Sequence, residues 1–257
     1  MATSISFDGN SLQTANILTA SIEHETIPIK DARMHALAHA NRSVIPYVQY
    51  PSRTVRISGK VIGSSISDLD SRLDTFRSYF RDTDSNLDIG YGGSTRRYIA
   101  TLNALAIDRP GGLLFANFEA EFVCTQPFGR NTTSTSALSA SARTSAAYND
   151  EHTFLGTAPY QLPIITIVIN SVTGGTGFLK FSNNGNGQAI LISGQTFAAD
   201  DEIIINCEER SVTLNGEEID AIGAFPEFPP GAQSFSYTDG FTTRNFDIDV
   251  DYYPLFL

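Results

Sequence analysis

The chain has 257 residues, enough to bury one large β core or two small ones. It carries 17 Lys+Arg against 28 Asp+Glu, a net charge of −11, and it has no Trp but 17 Phe and 10 Tyr. Its longest apolar run, PIITIVI at 163–169, falls far below the roughly 20 residues of a membrane helix, which argues against a helical span.

MATSISFDGN has no basic start followed by an apolar block, so no secretory signal is expected. The charge is unevenly placed. Residues 1–130 hold 13 basic and 13 acidic side chains, whereas residues 131–257 hold 4 and 15. Two units with different surfaces are expected, and the acidic second one would repel a nucleic acid.

RTVRISGKV (53–61) alternates, with Val55, Ile57 and Val61 on one face and Thr54, Arg56, Ser58 and Lys60 on the other. This is a strand with one buried side. In SDLDSRLDTFRSYF the spacing predicts a helix over 67–81, with Ser67 as N-cap, Asp68 and Asp70 in the first turn, and an apolar stripe of Leu69, Leu73, Phe76 and Phe80. RRYIATLNALAID (96–108) is a longer, less regular strand. FANFEAEFVC (115–124) alternates again, placing Phe118, Ala120, Phe122 and Cys124 inward.

NTTSTSALSASARTSAAYN (131–149) is rich in Ser, Thr and Ala with almost no apolar periodicity, which predicts a linker or long excursion. PIITIVIN (163–170) is apolar nearly throughout and is expected to be covered on both faces. Strands FLKFSN (178–183) and QAILIS (188–193) follow turns at SVTGGTG and NNGNG. EIIINCEERSVTLNGE is expected to form a hairpin around 208–210, and QSFSYTDGFTTRNFDIDVDYY another around 238–243. Many short strands between Gly/Asn/Asp turns indicate a sandwich.

The search for chemistry begins at FDIDVDYYPLFL (246–257). A calcium loop opening at Asp247 would need Gly at its sixth position, which is Tyr252. Asp247, Asp249 and Asp251 share one strand face and do not oppose each other across a substrate, as glycosidic carboxyls do. They read as a solvated face and as an edge device against stray strand pairing. His35 and His39 would share a helix face suited to zinc, but no Glu follows His35, and loop histidines are expected; His24 and His152 complete the set. GYGGS (90–94) and TGGTG (173–177) lack the ending of a phosphate loop and read as turns. Cys124 and Cys207 read as buried thiols, and Asn131-Thr-Thr, a glycosylation pattern, is discounted without a signal. Asp200, Asp201, Glu202, Glu208 and Glu209, the one dense supply of carboxylates for a glycan-cleaving enzyme, read as turn and surface charges. No catalytic residue, metal or cofactor is expected.

ISFDGNSL, VRISGKVIGSSISDLDSRLDTFRSYF, LDIGYGGSTRRYIATLNAL, FEAEFVCTQPFGR and AIGAFPEFPPGAQSFSY occur in that order. Together they resemble the distal tail proteins of long-tailed bacteriophages, the siphovirus tail component family. The resemblance spans most of the chain and omits 131–149. It implies a mainly β protein without enzymatic activity. Residues 1–130 would form a ring-forming, β-barrel-like domain with one helix, 131–155 a linker or excursion, and 156–257 a galectin-like or carbohydrate-module-like β-sandwich. The last strand would complete the sandwich or return to the first domain. It further implies a hexameric ring at the distal end of a virion tail, assembled in the host cytoplasm. Its partners would be the tail tube, tail tip and tape measure proteins, with a receptor-binding protein or host surface glycan beyond; neither nucleic acid nor membrane insertion is implied. The alternative function is a carbohydrate-binding adhesin. Sugar platforms use aromatic faces, and Tyr237, Phe241, Tyr252 and Tyr253 are its candidates for sugar or partner contact.

Overall fold

The computed structural model describes residues 4–24, 31–36, 43–174 and 177–257. It is mainly β and divides into two compact units, 133–256 and the remainder, 1–132 with Leu257.

In the first unit, strands β1 (Ser4–Phe7), β2 (Asn10–Ser11), β3 (Ile17–His24), β4 (Asp31–Ala36), β5 (Ser43–Gln49) and β6 (Arg53–Ile62) precede helix α1 (Ile66–Ser78). Strands β7 (Ser85–Gly90), β8 (Thr95–Asp108), β9 (Phe115–Cys124) and β10 (Gly129–Arg130) follow it. The main sheet is antiparallel in the order β2-β1-β7-β8-β9-β6-β3, and β4 pairs with β5. Its two ends, β2 and β3, are consecutive in the chain. The connection from Ser11 to Ile17 reaches at most about 20 Å, while seven flat strands would separate their edges by about 29 Å. The sheet must therefore curl, and the connection stitches its ends together: Leu12 N–H donates to the Ile5 carbonyl at 2.8 Å and Thr19 Oγ1 to the Leu12 carbonyl at 2.7 Å.

The curl encloses an aromatic core. Val55, Ile57 and Val61 of β6 and Phe118, Ala120, Phe122 and Cys124 of β9 point inward as their alternation requires. Leu69, Leu73 and Phe76 of α1 join them, with Phe76 4.7 Å from Phe118 and Phe7 5.0 Å from Phe122. The helix begins earlier than its sequence pattern suggests, because the N-cap is Ser65, not Ser67. Both serines open an S-x-x-D pattern. The tight corner at Gly63 selects the earlier one, since a Cβ there would lie 2.7 Å from Leu69 and the chain must turn into the helix at once. Ser65 Oγ accepts from Asp68 N–H at 3.1 Å, and the Asp68 carboxylate accepts from Ser64 N–H at 2.7 Å and Arg72 Nε at 2.9 Å.

The side-chain bond from Arg72, then those from Ser64, hold the Asp68 carboxyl down at about 2. A depressed folded pKa adds stability above the unfolded value of about 3.9 and loses it as pH falls through the folded one. Asp68→Asn should therefore lower the urea midpoint at pH 5, and the gap to wild type should close between about pH 4 and pH 2. A constant gap across that range would show that the carboxylate charge contributes nothing.

The second unit contains β11 (Thr135–Arg143), β12 (Ala147–Phe154), β13 (Ile164–Thr173), β14 (Leu179–Asn183), β15 (Ala189–Ile192) and β16 (Glu202–Asn206). They are followed by β17 (Ser211–Leu214), β18 (Glu217–Glu218), β19 (Ile222–Gly223), β20 (Gly231–Asp239) and β21 (Thr243–Tyr252). One sheet runs β11-β21-β13-β16-β17-β18, the other β12-β20-β14-β15-β19, and their inner faces share one core.

Three expectations change here. Residues 131–155 are not a linker: β11 pairs along β21 and β12 along β20. Strand β13 buries Ile165, Ile167 and Ile169, while Ile164, Thr166 and Val168 on its other face stay partly exposed, so it is covered fully on one side only. The hairpin at 207–210 forms between β16 and β17, but β20 and β21 are no hairpin, because they lie in opposite sheets. Tyr237 and Phe246 face each other across the core, 4.3 Å apart, instead of pairing side by side.

Candidate partner-binding surfaces

The second unit is organised around two nested arches. The β20–β21 arch crosses between the sheets, and the β11–β12 arch follows it on the outside, so that Tyr148 registers with Tyr237 and Arg143 with Phe246. Each arch is locked by an Arg–Asp pair. In the inner one, Arg244 Nε meets Asp239 Oδ1 at 2.9 Å, the aspartate side chain is fully buried, and the same oxygen accepts from Phe241 N–H. Arg244 also donates to the Phe241 carbonyl. Burial, then the Asp239 carboxylate, push the Tyr237 hydroxyl up. In the outer arch, Arg143 grips Asp150 with two bonds of 2.6 and 2.7 Å and lies 4.3 Å from the centre of the Tyr148 ring. The Tyr148 hydroxyl accepts from Thr144 and Ser145 N–H, which fixes the corner.

This architecture decides the aromatic candidates. Tyr237, Phe241 and Tyr252 are at most 6% exposed and belong to the core, so they present no face to a sugar. The reason is parity: Tyr237 is in phase with Phe235, and Tyr252 with Phe246, Ile248 and Val250. Phe241 fills the inner arch against Phe197, 5.6 Å away. Tyr253 is half-buried.

The terminal aspartates lie on the outward face of β21, opposite that core, but β21 is an interior strand between β11 and β13. The edge-device reading is therefore wrong. Asp247 instead accepts from Ala142 N–H at 2.7 Å and Asn170 Nδ2 at 3.0 Å, holding the bulge where Ala142 takes φ 53°. Asp249 stands between Ser139 and Thr166, small neighbours that leave it solvated. Arg244 is engaged with Asp239 instead of this row.

His35 lies in a strand, not a helix, and His39 lies outside the described residues. His152 packs edge-on to Phe154 at 5.0 Å, approaches the Tyr252 hydroxyl at 3.3 Å, and is held below its usual pKa by burial. Burial pushes the Cys124 thiol up to about 12 and raises Cys207 as well, so both are core thiols and not nucleophiles. GYGGS forms the turn between β7 and β8; TGGTG falls partly outside the described residues.

What the described surface offers is contact area. On the outer face of the curled sheet, Arg56, Glu121 and Asn103 form a cross-strand chain with bonds of 2.8 and 2.7 Å. Beside it lies an open hollow of about 350 Å³ between Lys60, Asp108 and Glu119. On the sandwich, a second hollow of about 600 Å³ follows β12 and β20 past Glu151, His152 and Gln233. One further residue escaped the sequence reading. Arg53 is in phase with Val55 and Ile57 and is 1% exposed. That phase was the signal that would have found it.

Comparison with known proteins places this architecture. Residues 155–254 match the family model of the siphovirus-type tail component, C-terminal domain. Over its whole length the chain is similar in fold to the crystal structure of SPP1 Dit (gp 19.1), titled a paradigm of hub adsorption apparatus in phages infecting Gram-positive bacteria. The TM-score is 0.69 at 17% identity, covering 99% of each chain. It is also similar to a chain of the phage P2 baseplate in its activated conformation with Ca, with a TM-score of 0.53 at 9% identity and 98% of each chain covered. The same baseplate with Sr gives 0.51 at 10% identity and 97% coverage. No curated protein matches the sequence.

Proposed function

We propose that this chain is a structural virion protein, a hub subunit at the distal end of a long phage tail. Copies of it close into a ring that joins the tail tube to the tip or baseplate and to host-recognition proteins. The observation that carries this reading is the end-to-end fold correspondence with the SPP1 Dit hub, 99% of both chains, reinforced by the tail-component match over 155–254. A ring repeats one head-to-tail interface until it closes. The first unit, with its charge-paired outer sheet face, suits such a repeated polar contact. The acidic second unit suits the periphery, where like charge keeps neighbours apart and solvated. The role is mechanical, requires no catalytic step, and leaves the buried thiols and aromatic side chains as packing.

Immunogold labelling of purified virions tests the proposal. Gold should mark the tail end opposite the head, and native mass spectrometry of the purified chain should give one closed oligomer, six copies in the full form of the reading. Labelling along the tube, at the head or nowhere on the virion would sink it.

A further inference from the structure

Strand β12 is the open edge of its sheet. It pairs with β20 over eight residues, from Ala147–Thr238 to Phe154–Gly231, without a bulge, and no described strand lies beyond it. The neighbouring bonds fix which backbone groups face outward. Asp239 N–H donates to the Ala146 carbonyl at 3.0 Å, and Asn184 N–H to the Ser234 carbonyl at 3.0 Å. Antiparallel bonding alternates along a strand, so the odd-numbered residues of β20 turn their backbone toward β12 and the even-numbered ones toward β14. The register then bonds Tyr148, Asp150 and His152 to β20. It leaves the N–H and C=O groups of Ala147, Asn149, Glu151 and Thr153 pointing away from the sheet. These four residues are exposed, and their backbone groups meet no partner among the described residues.

The other edges of the second unit are blunted. Register shifts interrupt β11 twice, and β18 and β19 have two residues each. Bulged or short edges resist strand addition, whereas a long regular edge is a template for it. On β12 the one outward charge is the Glu151 carboxylate, because Arg143 neutralises Asp150.

That charge selects the occupant. Residues 131–257 hold 4 basic side chains against 15 acidic ones. Arg143, Arg210 and Arg244 are engaged with Asp150, Glu227 and Asp239, and Lys180 lies on β14, with β20 between it and β12. A second copy pairing through β12 would set one acidic unit against another. The basic stretches of this chain around Arg56 and Arg97 lie in β6 and β8, which already have a neighbour on each side there.

We propose that the outer edge of β12, residues 147–153, takes up one β-strand of a different protein, an extended segment with Lys or Arg at alternate positions. Main-chain bonds to Asn149, Glu151 and Thr153 would supply affinity, and the alternate side chains specificity. A residue directly opposite Glu151 shares its sheet face, with Cβ atoms about 5 Å apart, so a cation there meets the carboxylate. The open hollow of about 600 Å³ beside Glu151, Thr153 and Ser234 gives its long side chain room. The edge is independent of the hub reading; under that reading the incoming strand belongs to a neighbouring tail or host-recognition protein.

The probe is a fluorescein-labelled octapeptide, Thr-Lys-Val-Lys-Val-Lys-Val-Thr, titrated into the full chain with anisotropy and amide hydrogen exchange as readouts. Binding should saturate and should protect the N–H groups of Asn149, Glu151 and Thr153. The same peptide with Glu for Lys should not bind. Neither should the peptide N-methylated at its three lysines, which keeps the charge and loses the bonding edge. Glu151→Lys should weaken the basic peptide about fivefold or more. Asn149→Pro, which removes an outward N–H and spares the bonds to β20, should weaken it as well. Glu151→Lys is a surface change and keeps the test decisive if the proline variant misfolds. Wild-type affinity of the basic peptide for Glu151→Lys, undiminished binding of the N-methylated peptide, or binding without protection of those amides overturns strand addition. Failure of the basic peptide to bind, or equal binding of the acidic one, overturns it too. Self-association of the wild type that protects the same amides and excludes the peptide assigns the edge to a second copy and overturns the different protein as occupant. All of these outcomes leave the hub reading to virion labelling.

Discussion

A fragment of residues 155–257, which begins where the tail-component match begins, is expected to aggregate or stay unfolded, whereas residues 133–257 should unfold cooperatively in urea. The shorter fragment loses β11 and β12. Strand β12 registers with β20 over its full length, from Ala147–Thr238 to Phe154–Gly231, and β11 covers β21 from Thr135–Tyr252 to Arg143–Phe246. Without them two long interior strands become open edges, which are templates for intermolecular pairing. The core also loses Phe154, 2% exposed, which stacks 4.6 Å from Phe228 and lies 4.8 Å from Tyr252. Truncating a buried Phe alone costs about 3–5 kcal/mol, a large part of the stability of a domain this size. Far-UV circular dichroism with urea titration distinguishes the outcomes. Equal midpoints for the two fragments would mean that the matched segment is a self-sufficient sandwich and the leading strands are accessory.

The second large effect is expected at the inner arch. Arg244→Ala should destabilise the protein by about 3–5 kcal/mol, because it strands a carboxylate with no solvent exposure. The arch gives the pair no substitute charge, since among the described residues the Asp239 carboxylate keeps only neutral neighbours, Phe241 N–H and the Tyr237 hydroxyl. Replacing both partners, as Asp239→Asn with Arg244→Met, should recover most of the loss, because two neutral side chains carry no desolvation penalty for charge. The urea midpoints of the single and double variants form a cycle that measures the coupling. A double variant as unstable as Arg244→Ala would mean that the arginine acts through packing and its carbonyl bond, not through the charge. The exposed counterpart, Arg56 with Glu121, should matter far less, since the arginine side chain is 54% exposed and solvent screens the pair.

Much of the local structure was legible in the residues. Strict alternation in RTVRISGKV and FANFEAEFVC placed β6 and β9 and their inward faces, and FDIDVDYY divided into a buried and a wet side as read. The stripe Leu69, Leu73, Phe76 located the helix, though two overlapping S-x-x-D patterns left its start ambiguous until the Gly63 corner chose. The series of stretches resembling siphovirus tail components led to the family whose model matches the second unit. Where structure and sequence pattern part, two physical causes are at work. Residues 135–143 pair through backbone hydrogen bonds at a sheet edge, and small side chains there bury little, so no apolar period marks the strand. Tyr237, Phe241 and Tyr252 are suited by aromatic identity to a platform, but Tyr237 and Tyr252 by strand phase, and Phe241 by its place in the inner arch, belong to the core.

By itself, then, the sequence determined what neighbouring residues impose on one another: which segments pleat, where one helix coils, and which side of each strand is apolar. Tertiary structure alone decided which strands share a sheet. A hairpin and an arch have the same alternation and the same turn residues, and they differ only in whether the two backbones bond to each other or to strands far away in the chain. That choice made β21 an interior strand and turned Arg143–Asp150 and Arg244–Asp239 into the locks of nested arches. It follows from the pairing of residues about a hundred positions apart, such as Ala140 with Ile248, which no local pattern records.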